Sequence, residues 1–368
     1  MSTPMTAGAG HATQPAPVDP PFGFSASAGP QPAEVSARIA DACRRRDRGI
    51  LALPFTSPEY HDIQRRVDEL LRQMLAVPPH FDILYMAGGA SAQFALVPLN
   101  LLGQHGRALY VDSGHWAQRA IGEARRYGDI AVTSADASVI DNPAPQAALY
   151  CHYTSNETAN GLQFRRLPAT PLPLVADMTS DLLTASPDWS RHGLVYAGTQ
   201  KTLGVPGLCI VIVRRDLIAA PHPLTPRVMN YAALSSAASR LCTPPVFAMY
   251  AALCMLEWIM GEGGVATMQT RLTERAQAVY RCIDDTPALY RCATDSAWRS
   301  LVNPCFDLPD EATRQCFLEA AQTSGLRDLA GHPDVGGVRV SLYNGLSDQA
   351  VCALTGFMRA FAQGRRAH

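Results

Sequence analysis

Lysine is almost missing from this chain. Of 31 basic side chains, 30 are arginine and a single one is lysine, at Lys201. Genome composition accounts for a preference for arginine, because a solvated surface seldom needs lysine in particular. One lysine left alone points to a place where a guanidinium fails. Imine formation is such a place: an amine can deprotonate and attack a carbonyl, whereas a guanidinium stays protonated. Charge is scarce too. Charged residues make up 17% and the formal net charge is −1, so nothing predicts a nucleic-acid or anionic-membrane partner. No apolar run approaches the ~20 residues that cross a bilayer. No basic region followed by an apolar stretch opens the chain, so no secretory signal is expected. The arginine-rich run at 44–48 reads as a solvated helix end. The ten cysteines are scattered singly, with no Cys-x-x-Cys pair and no His-Glu-x-x-His. That excludes a zinc motif and a secreted disulfide framework, and reduced thiols in a cytoplasmic protein fit the pattern; no metal is expected.

What is present is enough chain for a large core. At 368 residues with 47% apolar content, one large domain and a smaller one are expected. Residues 1–20, rich in Ala, Pro, Gly and Thr, read as a disordered tail. The large domain is placed at 21–265 and the small C-terminal domain at 266–368. Helical patterns run from Glu34 to Arg46 and from Tyr60 to Ala76, the second stopped by Pro78-Pro79. Strands then alternate with helices. Seven strands are expected, at Asp82–Met86, Ala108–Val111, Ile130–Thr133, Ala147–Tyr153, Pro173–Ala176, Leu194–Ala197 and Leu208–Val213. Helices are expected at Ser91–Leu102 and His115–Tyr127. This alternation predicts an α/β fold, a mostly parallel sheet covered on both faces, with ligand sites at strand C-terminal ends. Two long helices follow, one to Met260 and one over Val265–Ile283. The last hundred residues read as an α+β unit, with strands at Ser300–Phe306 and Gly337–Tyr343 and helices at Glu311–Ser324 and Ser347–Gln363.

Several residues stand where such a sheet presents chemistry. Lys201 follows a strand in Tyr-Ala-Gly-Thr-Gln-Lys (196–201). A phosphate-binding P-loop is excluded because Gln200, not glycine, precedes the lysine; an exposed lysine is the plain alternative. Asp177 ends the strand of Val-Ala-Asp-Met-Thr-Ser (175–180). A carboxylate after a run of apolar residues needs a partner, and a protonated ring nitrogen would be one, as would a helix cap or an ion pair. Gly88-Gly89-Ala90-Ser91 joins a strand to a helix whose free amides suit a phosphate, although a plain tight turn uses the same residues. Trp116, after Ser-Gly-His, offers a flat ring for stacking, or ordinary packing. Thr158, in Thr-Ser-Asn-Glu-Thr, can donate to an oxygen or cap a helix. Arg339, in Gly-Val-Arg-Val-Ser-Leu-Tyr, can grip a carboxylate with two parallel hydrogen bonds, or stand exposed on a strand.

Taken in order, these segments resemble the phosphoserine aminotransferase family of class V, fold-type-I aminotransferases. The resemblance spans about residues 22–363. It is carried by Gly-Gly-Ala-Ser-Ala-Gln-Phe-Ala-Leu-Val-Pro-Leu-Asn (88–100), Thr-Ser-Asn-Glu-Thr (154–158), Val-Ala-Asp-Met-Thr-Ser (175–180), Tyr-Ala-Gly-Thr-Gln-Lys (196–201), Thr-Pro-Pro (243–245) and Gly-Gly-Val-Arg-Val-Ser-Leu-Tyr-Asn (336–344). It implies a cytoplasmic, pyridoxal-phosphate-dependent homodimer with shared active sites. Lys201 would bond the cofactor, Asp177 hold its ring nitrogen, Trp116 stack on its ring and Thr158 contact its ring face or oxygen. Ala90, Ser91 and Gln200 would hold its phosphate, with Thr243 contributed across the dimer. Arg339 would take the substrate carboxylate, with His332 and Thr56 at the substrate. The chain also departs from the family pattern. A usual His-Arg pair is Phe55-Thr56, a Gly-His-Arg motif reads Gly331-His332-Pro333, Cys242 replaces asparagine, and Ala28 replaces serine. The expectation is therefore an aminotransferase acting on an amino acid and a 2-oxo acid, with a substrate other than phosphoserine. Phosphoserine transamination itself, another pyridoxal-phosphate reaction such as elimination or decarboxylation, and a non-catalytic binding protein are the alternatives.

Overall fold

The computed structural model describes residues 21–45, 49–135 and 147–366; the tail expected at 1–20 lies outside the described residues. Helices α1 (Ala33–Arg44) and α2 (Pro58–Leu75) lead into the sheet. Ser57 opens α2 by accepting a hydrogen bond from the Tyr60 amide at 3.2 Å, with Pro58 in the first turn, where its missing N–H costs nothing. The sheet has seven strands: β1 (Phe81–Ala87), β2 (Arg107–Asp112), β3 (Asp129–Ser134), β4 (Ala148–Thr154), β5 (Leu174–Asp177), β6 (His192–Gly198) and β7 (Leu208–Arg214). Their order across the sheet is β1-β7-β6-β5-β4-β2-β3. β7 alone runs against its neighbours; the remaining pairs are parallel. The seven expected strands all form.

Every residue of β5 and β6 is buried, as parallel strands covered on both faces must be. Successive side chains divide between two layers. Leu174, Ala176, Val195 and Ala197 pack with α2 and with α5 (Val246–Gly261) on one side. Val175, Leu194 and Tyr196 pack on the other with α3 (Gln93–Leu101) and α4 (His115–Ala124). α5 bends by 81° into α6 (Gly264–Asp284), at Gly263 with φ +103°. No single described helix is long and apolar enough to cross a membrane.

A second core forms around Tyr290, Phe306, Phe317 and Phe357. It packs α6, α7 (Glu311–Thr323) and α8 (Asp348–Arg366) on a three-stranded antiparallel sheet of β8 (Cys305–Phe306), β9 (Ala330–His332) and β10 (Gly336–Arg339), in the order β8-β10-β9. α6 serves both cores: Val265 and Met268 belong to the first, Leu272 and Ala276 to the second. The expected division at 265/266 thus falls in the first turn of this helix.

Two expected strands are shorter than their patterns. Ser300–Phe306 reduces to Cys305–Phe306, because Ser300 Oγ accepts from the amides of Val302 (3.1 Å) and Asn303 (2.8 Å) and turns the backbone out of register. Gly337–Tyr343 becomes Gly336–Arg339; beyond it Val340 and Leu342 still donate to the carbonyls of Pro304 and Val302, but outside a regular ladder. The helix expected from Ser91 opens with a 3-10 turn at Ala90–Ala92, and the one expected to Tyr127 stops at Ala124. A short helix at Tyr231–Ser236 carried no periodic signal.

The N-terminal segment joins the two cores. Phe22 and Gly23 pair in parallel with Leu326 and Arg327, and Tyr343 donates its hydroxyl to the Ala26 carbonyl at 2.8 Å. The segment then crosses Lys201: the Gly29 amide donates to the Gln200 carbonyl at 2.8 Å. A Cβ on Gly29 would lie 2.1 Å from the Lys201 carbonyl oxygen, and only glycine permits that approach. Gly29→Ala is expected to destabilise the fold by about 2 kcal/mol through overpacking and to weaken binding of the cofactor that the resemblance implies. Calorimetric melting of the free protein and titration with cofactor would check this, and unchanged values in both would refute it.

Candidate active site

The parallel strands end together. β4 ends at Thr154, β5 at Asp177 and β6 at Gly198, and the turns after them surround a cavity of about 230 Å³ whose lining includes Ser91, Trp116, Thr158, Asp177, Gln200 and Lys201. The lysine is 9% exposed. Among the described residues it makes no hydrogen bond or ion pair, and its Nζ lies 5.7 Å from the centre of the Trp116 ring. Burial, which penalises the ammonium form, pushes its pKa down to about 8; Asp177 opposes that shift and Arg339 reinforces it. Asp177 Oδ1 accepts from the Thr179 amide (3.0 Å) and hydroxyl (2.6 Å). Burial raises its pKa, while these bonds and Lys201 hold it back. A buried carboxylate, a buried amine and a flat ring thus line one small space.

Glu157 and Thr158 fix the ring. The Glu157 carboxylate accepts from the amides of Trp116 (3.1 Å) and Ala117 (2.8 Å) at the start of α4. Thr158 Oγ1 accepts from Trp116 Nε1 at 2.9 Å. The Thr158 carbonyl accepts from Arg339 Nη1 at 3.0 Å, so the half-buried arginine of β10 is brought to the same turn. Burial lowers the Arg339 pKa. His332 lies beside the ring, its centroid 6.3 Å from Trp116 and 4.2 Å from His115.

Of the residues read from the sequence, Lys201, Asp177, Trp116, Thr158, Ala90, Ser91 and Gln200 line the cavity. Arg339 and His332 stand next to its walls. Thr56 and Thr243 are exposed and outside its lining in this chain. Sequence reasoning missed Ala26 and Ser27, which arrive on the N-terminal segment, and Thr154, Asn156, Thr179 and Ser180. The signal was there in part, because four of these six lie within the quoted segments 154–158 and 175–180. Thr154 Oγ1 is buried without a hydrogen-bond partner, a cost that a polar ligand would remove. Gly88 sits at φ +112°, and a Cβ on Gly88 or Gly89 meets nothing within 4 Å, so no wall crowds the amides that follow.

The family model described as aminotransferase class-V matches residues 24–354. The chain belongs to the class V aminotransferases. Its relatives include the phosphoserine aminotransferase of Laribacter hongkongensis, 40% identical, with 85% of this chain and 90% of the relative covered. Among solved structures, a phosphoserine aminotransferase studied for radiation damage of its Schiff base superposes with a TM-score of 0.88 at 32% identity, covering 92% of this chain and 98% of that one. A phosphoserine aminotransferase from Trichomonas vaginalis, solved with pyridoxal phosphate bound, gives 0.83 at 32% identity, covering 91% and 99%. This class V aminotransferase is a fold-type-I, pyridoxal-phosphate-dependent enzyme of the phosphoserine aminotransferase family, and its cavity fits that cofactor. It has an amine for the aldehyde, a buried carboxylate for a ring nitrogen, an indole for the ring, and amides at a helix start for a phosphate.

The lowered pKa of Lys201 has a direct consequence. Only the neutral amine attacks an aldehyde, so the rate at which the cofactor-free enzyme captures pyridoxal phosphate should rise with pH, with its midpoint at about pH 8, and level off roughly one pH unit higher. Stopped-flow absorbance between pH 6 and 10 would measure it; a rise still continuing near the ordinary lysine pKa would contradict the burial effect.

Proposed function

We propose that this aminotransferase exchanges an amino group between an amino acid and a 2-oxo acid, the amino acid being one other than phosphoserine. The observation that carries this is the group beside His332. Pro333 follows it and offers no donor. Asp334 comes next, and its Oδ2 lies 3.4 Å from His115 Nδ1 and 3.8 Å from His332 Nδ1. A carboxylate here opposes a phosphate dianion, which needs cationic partners in a partly dry site. The position of the family's His-Arg pair adds nothing: Phe55 packs on the large core and Thr56 is exposed.

Pyridoxal phosphate, when bound, supplies an aldehyde for the amine and an electron sink for the carbanion. Lys201, Asp177, Trp116, Thr158, Gln200 and the amides of Ala90 and Ser91 would hold it. Arg339, already placed by the Thr158 carbonyl, would align the substrate α-carboxylate with two hydrogen bonds. Lys201 Nζ, buried and basic near neutral pH, would take the proton from the substrate α-carbon. Ala26 and Ser27 of the N-terminal segment, with Phe94 and Trp116 of the large domain, wall the cavity and limit water around that transfer. A homodimer is part of this reading, with the exposed Thr243 and Thr56 of one subunit facing the cavity of the other. The ten cysteines are all free, which supports a reducing, cytoplasmic setting.

The names of the relatives favour a second reading, phosphoserine transamination with 2-oxoglutarate. Amino donors screened by conversion of the cofactor to its amine form would separate the two. The expected result is a kcat/KM for phosphoserine at least ~100-fold below that of the best donor, and no rescue of a serine auxotroph. Pro333→Arg should raise phosphoserine turnover by about tenfold through a new charged contact. Phosphoserine as the best donor of the unaltered enzyme would overturn the first reading. Lys201→Ala should abolish the cofactor's visible absorbance band and turnover together; turnover retained in that variant would exclude the assigned role.

A further inference from the structure

Helix α4 lacks the cap its N-terminus needs. The residue before it, Gly114, has no side chain and sits at φ +144°, and the first-turn amides of a helix otherwise go unpartnered. Glu157 supplies the partner from across the site. Its side chain is fully buried and accepts from the Trp116 and Ala117 amides and, at 3.4 Å, from Ser113 Oγ. A Cβ on Gly114 would lie 3.3 Å from the Glu157 carboxyl carbon and 2.5 Å from Asn160 Nδ2, so glycine is what admits the remote cap. A local serine or aspartate would cap the helix without burying a carboxylate. Burying one here puts a carboxylate close enough to Asp177 and Lys201 to act on both. Both Asp177 and Glu157 influence the lysine, and Asp177 in turn raises the Glu157 pKa, which burial already pushes up to about 7. The next residue, Thr158, holds the indole N–H and, through its carbonyl, Arg339.

We propose that Glu157 is a positioning residue of this aminotransferase: its carboxylate sets the plane of the Trp116 ring against the cofactor and contributes negative charge to the surroundings of Lys201. This rests on reading the cavity as the pyridoxal-phosphate site. A cap that served the fold alone would change melting temperature and nothing else. A positioning carboxylate also changes what the bound cofactor reports.

The test uses the holoenzyme and Glu157→Gln, with Glu157→Asp beside it. In E157Q one carboxylate oxygen becomes an NH2 facing amide donors, and the charge is lost. The expected result is a weakened visible circular dichroism of the bound cofactor and a midpoint of its pH-dependent absorbance moved to lower pH, since a lost negative charge disfavours the protonated form. kcat should fall about tenfold or more, with a smaller change in KM. E157D keeps the charge on a shorter arm, so its midpoint should stay near that of the unaltered enzyme while its dichroism is weakened. Borohydride trapping at Lys201 should succeed in all three proteins. Trapping in all three with unchanged dichroism and midpoint in E157Q would overturn the role of Glu157 and leave the cofactor site standing. No trapping in the unaltered enzyme would overturn both. Should E157Q not fold, E157D decides, and an unchanged dichroism in it counts against the proposal.

Discussion

The structure turns on the cost of keeping an amine dry. Lys201 lies at the ends of buried parallel strands with no hydrogen bond or ion pair among the described residues, and water would otherwise hold its ammonium form. Taking that solvent away makes the nitrogen a base and nucleophile near neutral pH. The same removal raises the Asp177 pKa, and the two hydrogen bonds from Thr179 oppose that rise. Each group is disfavoured by burial, and each makes the other's charge more tolerable.

Holding that pair in place takes both cores. Asn156, just past β4, donates to Ser180 Oγ (2.9 Å) on the β5 side and to Asn303 Oδ1 (2.8 Å) in the second core, and Asn303 donates to Ser341 Oγ at 3.0 Å. Thr158, two residues on, reaches Arg339 in β10. The turn after β4 is therefore a junction that ties together the turn after β5, the Trp116 ring and Arg339. Satisfied buried networks of this kind fix one geometry, because leaving any member unpaired is costly. Around His332, beside the cavity, the surface is chemically mixed, two imidazoles and one carboxylate.

Most of the frame was legible. The seven strands showed as short apolar runs bounded by turns, since strands covered on both faces need unbroken hydrophobicity. The lone lysine stood out by its scarcity, and the aspartate because a carboxylate after apolar residues is expensive. Ser300 misled, because its hydroxyl competes with the ladder inside what reads as a strand. Gly29 and Glu157 stayed hidden for a different reason. Their importance lies in contacts with Lys201 and Trp116 across more than 40 positions of chain, and neither composition nor periodicity records such distances. Thr154 and Thr179 look like any other hydroxyl until the cavity is closed around them.

The parallel pairing of Phe22 with Leu326 bears on the order of assembly during synthesis. Contacts between residues so distant in sequence form late, after the intervening loop has been closed. Until Tyr343 docks, the stretch from Ala26 to Gly29 is held only at its far end, by the Gln200 carbonyl. Drying of the lysine is thus tied to docking of the second core on the N-terminal segment, and the reactive nitrogen acquires its character late in folding rather than when its own strand forms.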